Sequence, residues 1–117
     1  MGLFMTYLVD TRTLAVDNEG FLLYPDDWDE TVAQVIADSI HIEMSDEHWM
    51  VVRFVREYFE QNQRVPETRR ALKAMTQALG KEKATRKYLY RLFPYGFGQQ
   101  ACKIAGMRKP LKLMLDM

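Results

Sequence analysis

The apolar positions of the first 24 residues are grouped in the way that short β-strands require. Apolar and β-branched runs occupy 3–9 and 11–16, turn residues follow at 17–20, and a third short apolar run covers 21–24. Runs of this length between Asp, Asn and Gly residues are typical of strands joined by tight turns. The pattern predicts a small β-hairpin or meander over 1–24.

After residue 24 the apolar residues recur at the spacing of amphipathic helices. Pro25 ends the last strand, and either Asp26 or Asp27 is the predicted N-cap of a first helix over about 28–40. Ser45 is a good N-cap for a central helix over 46–61. The apolar stripe of that central helix comprises Trp49, Val52, Val55, Tyr58 and Phe59.

Two shorter helices are predicted after the central one. The first covers 67–79 and ends at Gly80, and the second is capped by Thr85 and carries Tyr88, Leu89 and Leu92. Together they resemble a helix-turn-helix in outline, which makes nucleic acid an alternative partner. The signal has low specificity, because any helical array produces such pairs.

The segment 93–98 contains so much proline and glycine that no helix is expected to run through it. A short helix over 99–105 is predicted next, with Gly106 as its C-cap. Residues 107–117 combine basic and apolar side chains, and we expect them to form an arm that orders on contact with another surface. The only cysteine of the sequence, Cys102, lies in the predicted short helix.

Length and composition indicate a single globular domain. The sequence has 117 residues, 48% of them hydrophobic and 27% charged, which fits one folded domain with its own core. No apolar run approaches the roughly 20 residues that cross a bilayer, and the opening residues do not resemble a secretion signal. We therefore expect a cytoplasmic location and no membrane partner.

Net charge is zero, but the charges are unevenly distributed along the chain. Residues 1–50 hold eleven acids and a single base, Arg12, whereas residues 51–117 hold fifteen bases and five acids, so the two parts carry −10 and +10. Such a separation favours acidic partners at the basic side, because clustered charge steers association. The alternative is that the two parts neutralise each other within one domain.

Several kinds of catalytic and metal site are missing from the sequence. A single cysteine excludes an intramolecular disulfide and a multi-cysteine metal site among these residues. His41 and His48 have no second ligand at metal-binding spacing, and no phosphate-binding glycine loop is present. We therefore predict no metal, no cofactor and no stand-alone enzyme.

Cys102 is the candidate reactive group, since a thiol reacts as its thiolate. It would lie in the first turn of its helix, where backbone N–H groups stabilise an anion. Lys103, and Arg91 or Arg108, could add positive charge. The alternative is that Cys102 is a small buried apolar residue with no chemistry.

Four segments of the sequence carry a family resemblance. They are EHWMVVRFVREYF at 47–59, the Lys-Ala-Met at 73–75, KYLYRLFPYGFGQQACKIAG at 87–106, and the Lys-Pro at 109–110. In these segments, and along nearly all of its length, the chain resembles the DsrC/TusE family of small sulfur-relay proteins. The agreement over 87–106 includes the Tyr, Pro and Gly positions, and chance does not explain it.

The resemblance implies an α+β fold that is mostly α. In this fold a small N-terminal β-hairpin or meander packs on an array of about five helices, and a mobile C-terminal arm follows. The whole chain, 1–117, would then be one DsrC/TusE-like domain. Its parts are the hairpin region 1–24, the helical array 25–106 and the arm 107–117.

The resemblance also implies sulfur chemistry on cysteine. Family members carry sulfur as a persulfide or trisulfide on arm cysteines, one in the ACKIAG helix and one penultimate. The members that serve tRNA thiolation keep the penultimate cysteine and often lack the other. Here the helix cysteine is present as Cys102, whereas Leu113 and the penultimate Asp116 occupy the region of the second. One thiol cannot close a disulfide on its own, so two-cysteine chemistry with sulfite reductase partners is not expected.

These observations predict a sulfur-relay or sulfur-trafficking protein, with Cys102 as a sulfurtransferase-type carrier of sulfane sulfur. Arg91 and Lys103 are the predicted thiolate-stabilising residues. Donor and acceptor proteins, sulfurtransferases or a sulfite reductase-type complex, are the predicted partners. Their predicted contacts are Tyr95, Arg108, Lys109 and Lys112. The alternative function is a regulatory single-cysteine protein that senses redox or sulfur state and binds DNA or a partner without transferring sulfur.

Overall fold

A computed structural model describes residues 4–9 and 12–110, and in it the chain begins with a two-stranded antiparallel sheet. Strand β1 is Phe4–Val9 and strand β2 is Arg12–Asp17, with Phe4 opposite Asp17 and Val9 opposite Arg12. The predicted hairpin is confirmed.

The expected third strand at 21–24 is reduced to a single bridge between Leu22 and Val16. In the turn before it, Asp17 Oδ1 accepts from the backbone N–H groups of both Glu19 and Phe21, at 2.9 and 3.0 Å. These bonds tighten the turn after β2. Leu23 N–H then donates to the carbonyl of residue 15, and after this bond the chain leaves the sheet.

The first α-helix begins later than the sequence predicts. Pro25–Asp27 form a single 3₁₀ turn, Trp28 is extended, and helix α1 covers Glu30–Ser39. Its N-cap is Asp29, whose Oδ1 accepts from the backbone N–H of residue 32 at 2.9 Å. The N-cap predicted at one of the two aspartates of the 3₁₀ turn is wrong, because that turn closes on itself before α1 starts.

The central helix α2 covers Asp46–Asn62 and is capped by Ser45, as predicted. Its buried face contains Val51, Val52 and Val55, and α2 contacts both the next helix and the segment that carries the cysteine. The helix ends at Gln63, which adopts the left-handed conformation.

The two helices predicted after the central helix are also confirmed, with their predicted cap residues. Helix α3 covers Thr68–Leu79 and ends at Gly80, and helix α4 covers Arg86–Leu92 with Thr85 as its cap. The Thr85 hydroxyl accepts from the backbone N–H of Tyr88 at 3.1 Å. Within the part of the chain that the structure describes, no helix is both long and apolar enough to span a bilayer.

The cysteine-bearing helix starts two residues before its predicted position and has an unusual form. Phe97–Cys102 form a π-helical segment, which continues for a further helical stretch to Ile104. Gly98, expected to break helical structure, lies inside this wider turn. The side-chain Oε1 of Gln100 accepts from the backbone N–H of Tyr95 at 2.9 Å, which closes the loop onto the segment. With α1–α4 this makes five helices in the described residues, so the mostly helical α+β fold is confirmed.

Gly106 ends this helix, as predicted, through two backbone hydrogen bonds. Gly106 N–H donates to the carbonyl of Lys103 and Met107 N–H donates to that of Cys102, at 3.0 and 3.1 Å. This Schellman arrangement needs a left-handed residue, and Gly106 has a φ of 80°. A Cβ at this position would lie 2.8 Å from the Cβ of Trp28 and 2.7 Å from its Cγ.

We expect Gly106→Ala to destabilise the fold more than Gly80→Ala. Both glycines have positive φ, but a Cβ at Gly80 would meet nothing within 4 Å, so only Gly106→Ala also displaces the Trp28 ring. The additional loss should be about 1–3 kcal/mol, measured as the difference in unfolding free energy by urea denaturation. Equal losses in the two variants would contradict the packing of Trp28 on this turn.

Candidate functional site

Cys102 is enclosed in the hydrophobic core. Its relative exposure is 0%, and it belongs to the same buried cluster as Ala101, Ile104 and Phe93. Burial raises the pKa of the Cys102 thiol far above its ordinary value, because the thiolate would lose its hydration. In this conformation the thiol is protonated at neutral pH and is not a nucleophile.

The predicted position of Cys102 in the first turn of its helix is wrong. Because the helix begins at Phe97, Cys102 lies near its C-terminal end, and its carbonyl accepts the closing bond from Met107. The positive end of a helix dipole is therefore not beside the sulfur. The pKa is raised by burial alone, and no basic side chain opposes that effect.

Lys103 and Arg91 do not act on the thiol in this conformation. Lys103 Nζ lies 4.8 Å from the centre of the Phe21 ring. Burial lowers the pKa of Lys103, and the carboxylates of Glu19 and Asp17 partly oppose that shift. Arg91 is exposed and lines an open cleft that does not include Cys102. The thiolate-stabilising role predicted for these two residues therefore has no support in this structure, in which Cys102 is buried.

Two side chains from distant parts of the chain seal the end of the cysteine-bearing helix. Trp28 Nε1 donates to the carbonyl of Ile104 at 2.8 Å, and Arg56 Nη1 donates to that of Ala105 at 3.4 Å. The guanidinium carbon of Arg56 lies 4.8 Å from the Trp28 ring centre and 5.6 Å from that of Phe59. Arg56 also pairs with Glu60 through its Nε at 3.1 Å. We call Trp28 and Arg56 the seal.

The sequence pattern does not predict the contacts that Trp28 and Arg56 make with the end of the cysteine-bearing helix. Arg56 falls outside the apolar stripe predicted for α2. A signal existed for Arg56, which lies four residues after Val52 and three before Phe59 and so shares their helix face. An arginine on a buried face needs acceptors, and here they are a carboxylate and a main-chain carbonyl.

The open cleft beside Arg91 has a volume of about 480 Å³. It is lined by Ile40, His41, Ile42, Glu43, His48, Arg91, Leu92, Pro94, Tyr95 and Gln100.

His48, in this lining, forms hydrogen bonds through both ring nitrogens. Its Nε2 lies 2.8 Å from the Leu92 carbonyl, which can only accept, so Nε2 carries the proton. Its Nδ1 therefore accepts from the backbone N–H of Ser45. His48 thus joins the start of α2 to the end of α4 and is a structural residue.

The residues predicted to contact partners are found at different places on the surface. Tyr95 is 81% exposed at the rim of the cleft, and Arg108 is exposed after the Gly106 turn. Lys109 Nζ forms an ion pair with Glu19 in the turn after β2. Lys112 lies outside the described residues, as do Leu113 and Asp116.

Only the first part of the predicted mobile arm can be described. Met107 is buried, with a relative exposure of 1%, and Lys109 is paired with Glu19. Residues 107–110 therefore follow the body of the protein toward the hairpin. Residues 111–117 lie outside the described part, so the expected mobility of the arm stays a prediction.

Cys102 should make the stability of the protein depend on pH in the alkaline range. Above the ordinary cysteine pKa, about 8.5, the unfolded thiol ionises while the buried one does not, so the unfolded state is favoured. Relative to Cys102→Ala, the wild type should lose about 1.4 kcal/mol of unfolding free energy per pH unit. Urea denaturation of both proteins between about pH 7 and about pH 10 measures the difference. A constant difference across that range would show that the thiol ionises equally well in the folded state.

Comparison with known proteins places this chain among sulfur proteins. Residues 8–114 match the family described as DsrC like protein. The sulfurtransferase TusE of Escherichia coli (strain K12) is 44% identical over 105 residues, covering 90% of this chain and 96% of that protein. The corresponding protein of Pectobacterium atrosepticum is 45% identical over 101 residues, covering 86% of this chain and 93% of that one.

Solved structures agree with the sequence matches. The solution structure of DsrC from Allochromatium vinosum superposes with a TM-score of 0.83 at 46% identity, covering 92% of this chain and 96% of that one. The oxidized γ-subunit of dissimilatory sulfite reductase (DsrC) from Archaeoglobus fulgidus gives a TM-score of 0.86 at 33% identity, covering 92% and 97%. The agreement in sequence, fold and length shows that the chain belongs to the DsrC-like family of sulfur-relay proteins.

Proposed function

We propose that this protein receives sulfane sulfur from a donor protein as a persulfide on Cys102 and passes it to an acceptor. The observation that carries the proposal is the position of the only cysteine, inside the segment of strongest family resemblance and just before the helix end that the seal holds. The relatives named sulfurtransferase support the same chemistry.

The transfer step needs no external oxidant or reductant. The Cys102 sulfur attacks the outer sulfur of a donor persulfide, the donor S–S bond breaks, and a new S–S bond forms on Cys102. The donor leaves as a thiolate and takes up the proton that Cys102 lost. The reverse reaction with an acceptor thiolate unloads the protein.

Loading requires the seal to open, because the closed structure buries the sulfur and keeps it protonated. Opening would lift the end of the helix away from Trp28 and Arg56 and bring Cys102 into water. There its pKa returns toward the ordinary range, and the nearby bases Lys103 and Arg108 can favour the thiolate. The conformational equilibrium of this helix end therefore controls the reactivity of the thiol.

We further propose that the partners are the donor and acceptor proteins of a sulfur relay in the cytoplasm. Tyr95, Arg108, Lys109 and Lys112 are the proposed contacts, since the first three are exposed around the cysteine-bearing helix and the fourth continues the basic arm. Because the 117 residues contain one cysteine, the second sulfur of each transfer must come from the partner.

We expect glutathione persulfide to add one sulfur atom to Cys102 in the folded protein. Mass spectrometry of the intact chain and of its peptides should locate the sulfur, and Cys102→Ser should stay unmodified. A second thiol protein added afterwards should remove the sulfur. No addition in the wild type would exclude the carrier, and addition that no acceptor thiol can remove would favour the regulatory alternative.

Arg56→Met should load faster than the wild type, because it keeps the aliphatic packing and removes the hydrogen bond to Ala105. Hydrogen bonds from charged groups contribute about 1.5–3 kcal/mol, so the open population should rise roughly tenfold or more. The loading rate measures this effect under conditions where urea denaturation shows both proteins folded.

The matched control for this experiment is Arg53→Met, on the same helix. Arg53 also lies over an indole, that of Trp49, but its side chain pairs with Glu30 of α1 and not with a carbonyl of the cysteine-bearing helix. We expect its loading rate to equal that of the wild type. Equal acceleration in the two variants would show that general loosening, and not the seal, limits access to Cys102.

A further inference from the structure

The connection between α2 and α3 gathers three arginines around one carboxylate. Glu67 Oε1 accepts from Arg64 Nη1 at 2.9 Å, while Glu67 Oε2 lies 2.8 Å from Arg70 Nε and 3.4 Å from Arg69 Nη2. The Glu67 side chain is 10% exposed, whereas those of the arginines are 42–64% exposed. The three guanidinium groups converge on a nearly buried anchor and extend outward from it. We call Arg64, Arg69 and Arg70 the arginine cluster.

The arginine cluster carries more positive charge than its anchor neutralises. Burial by itself raises the pKa of Glu67, but Arg70 and Arg64 outweigh that effect and the pKa is lowered. Glu67 is therefore ionised at neutral pH, and three positive charges surround one negative charge. Arg69 and Arg70 also lie in the first turn of α3, at the positive end of its dipole. Basic residues there do not favour the helix, so helix stability does not explain them.

The arginine cluster is held in place before any partner arrives. Two of its members lie over the Tyr58 ring, with the guanidinium carbons of Arg64 and Arg70 each 5.4 Å from the ring centre. Each guanidinium has five N–H donors, and the contact with Glu67 uses one edge of each. Groups that are already ordered lose less conformational entropy when they bind an anion.

The compact arrangement suits carboxylates better than a nucleic-acid strand. Single-stranded nucleic acids are bound along extended basic grooves with aromatic rings free to stack on bases. Here the charge converges on one point, and the Tyr58 ring is already in contact with Arg64 and Arg70. Arginine pairs with carboxylates through two parallel hydrogen bonds, and neighbouring acidic side chains can use the free edges together.

We propose that the arginine cluster is a docking site for an acidic segment of a partner protein, whose carboxylates bind the guanidinium edges that Glu67 leaves free. The site comprises the connection before α3 and the first turn of α3, and it does not include Cys102. Its function as a docking site does not depend on whether Cys102 carries sulfur.

The test uses a fluorescein-labelled hexaglutamate peptide and fluorescence anisotropy on the full chain. The wild type should bind the peptide, and added salt should weaken the binding. Arg69→Glu, at the most exposed member of the cluster, should weaken it about fivefold or more. The control is Lys81→Glu, an exposed position beyond the other end of α3, more than about 15 Å along the helix axis. Its charge change is the same, and we expect less than a twofold effect.

Backbone amide NMR shifts on adding the peptide should map to residues 64–70, and circular dichroism should show that both variants are folded. Failure of the wild type to bind, or equal losses in the two variants, would overturn the proposal. So would tighter binding of a single-stranded oligonucleotide through Arg69, because the site would then serve nucleic acid. None of these outcomes depends on sulfur loading at Cys102, so the docking site and the relay can fail separately.

Discussion

The two hydrogen bonds that Trp28 and Arg56 donate to the end of the cysteine-bearing helix connect the separate parts of this fold. A helix end leaves carbonyl groups without partners, and burying them unpaired is costly. Trp28 comes from the connection after the hairpin and Arg56 from the middle of α2, and their targets are the carbonyls of Ile104 and Ala105. The contact brings three regions of the chain together at the point where the arm begins.

Burial in the hydrophobic core determines the chemical state of Cys102 in this structure. The thiol is unreactive because it is buried. A charged neighbour is present, since Lys103 follows Cys102 directly, but its side chain extends toward Phe21 and Glu19. In the proposed relay, the reactivity of Cys102 is therefore controlled by conformation. A side chain that is unreactive when covered and ordinary when exposed needs only a change in the population of the open state.

The charge separation along the chain is only partly cancelled by folding. Among residues 4–9 and 12–110, acidic residues of the first half pair with bases of the second in three exposed ion pairs, which are Glu30 with Arg53, Glu47 with Lys83, and Glu19 with Lys109. Other bases find partners inside the basic half, as the arginine cluster does with Glu67. Neutralisation therefore joins the two halves, while the side chains of the arginine cluster stay 42–64% exposed.

The sequence by itself determined the hairpin, the caps at Ser45 and Thr85, the helix ends at Gly80 and Gly106, and the family, because these depend on local backbone chemistry and on motifs. It failed where the local signals competed. Asp29 and not its neighbours caps α1, because Pro25 first closes a 3₁₀ turn, and Gly98 lies within a helix because a π-helical turn accommodates it. Only the tertiary structure decided the state of Cys102. Desolvation depends on what packs around the sulfur, and the buried cluster that contains Cys102 is assembled from distant parts of the chain, such as Val16, Ile36 and Val52.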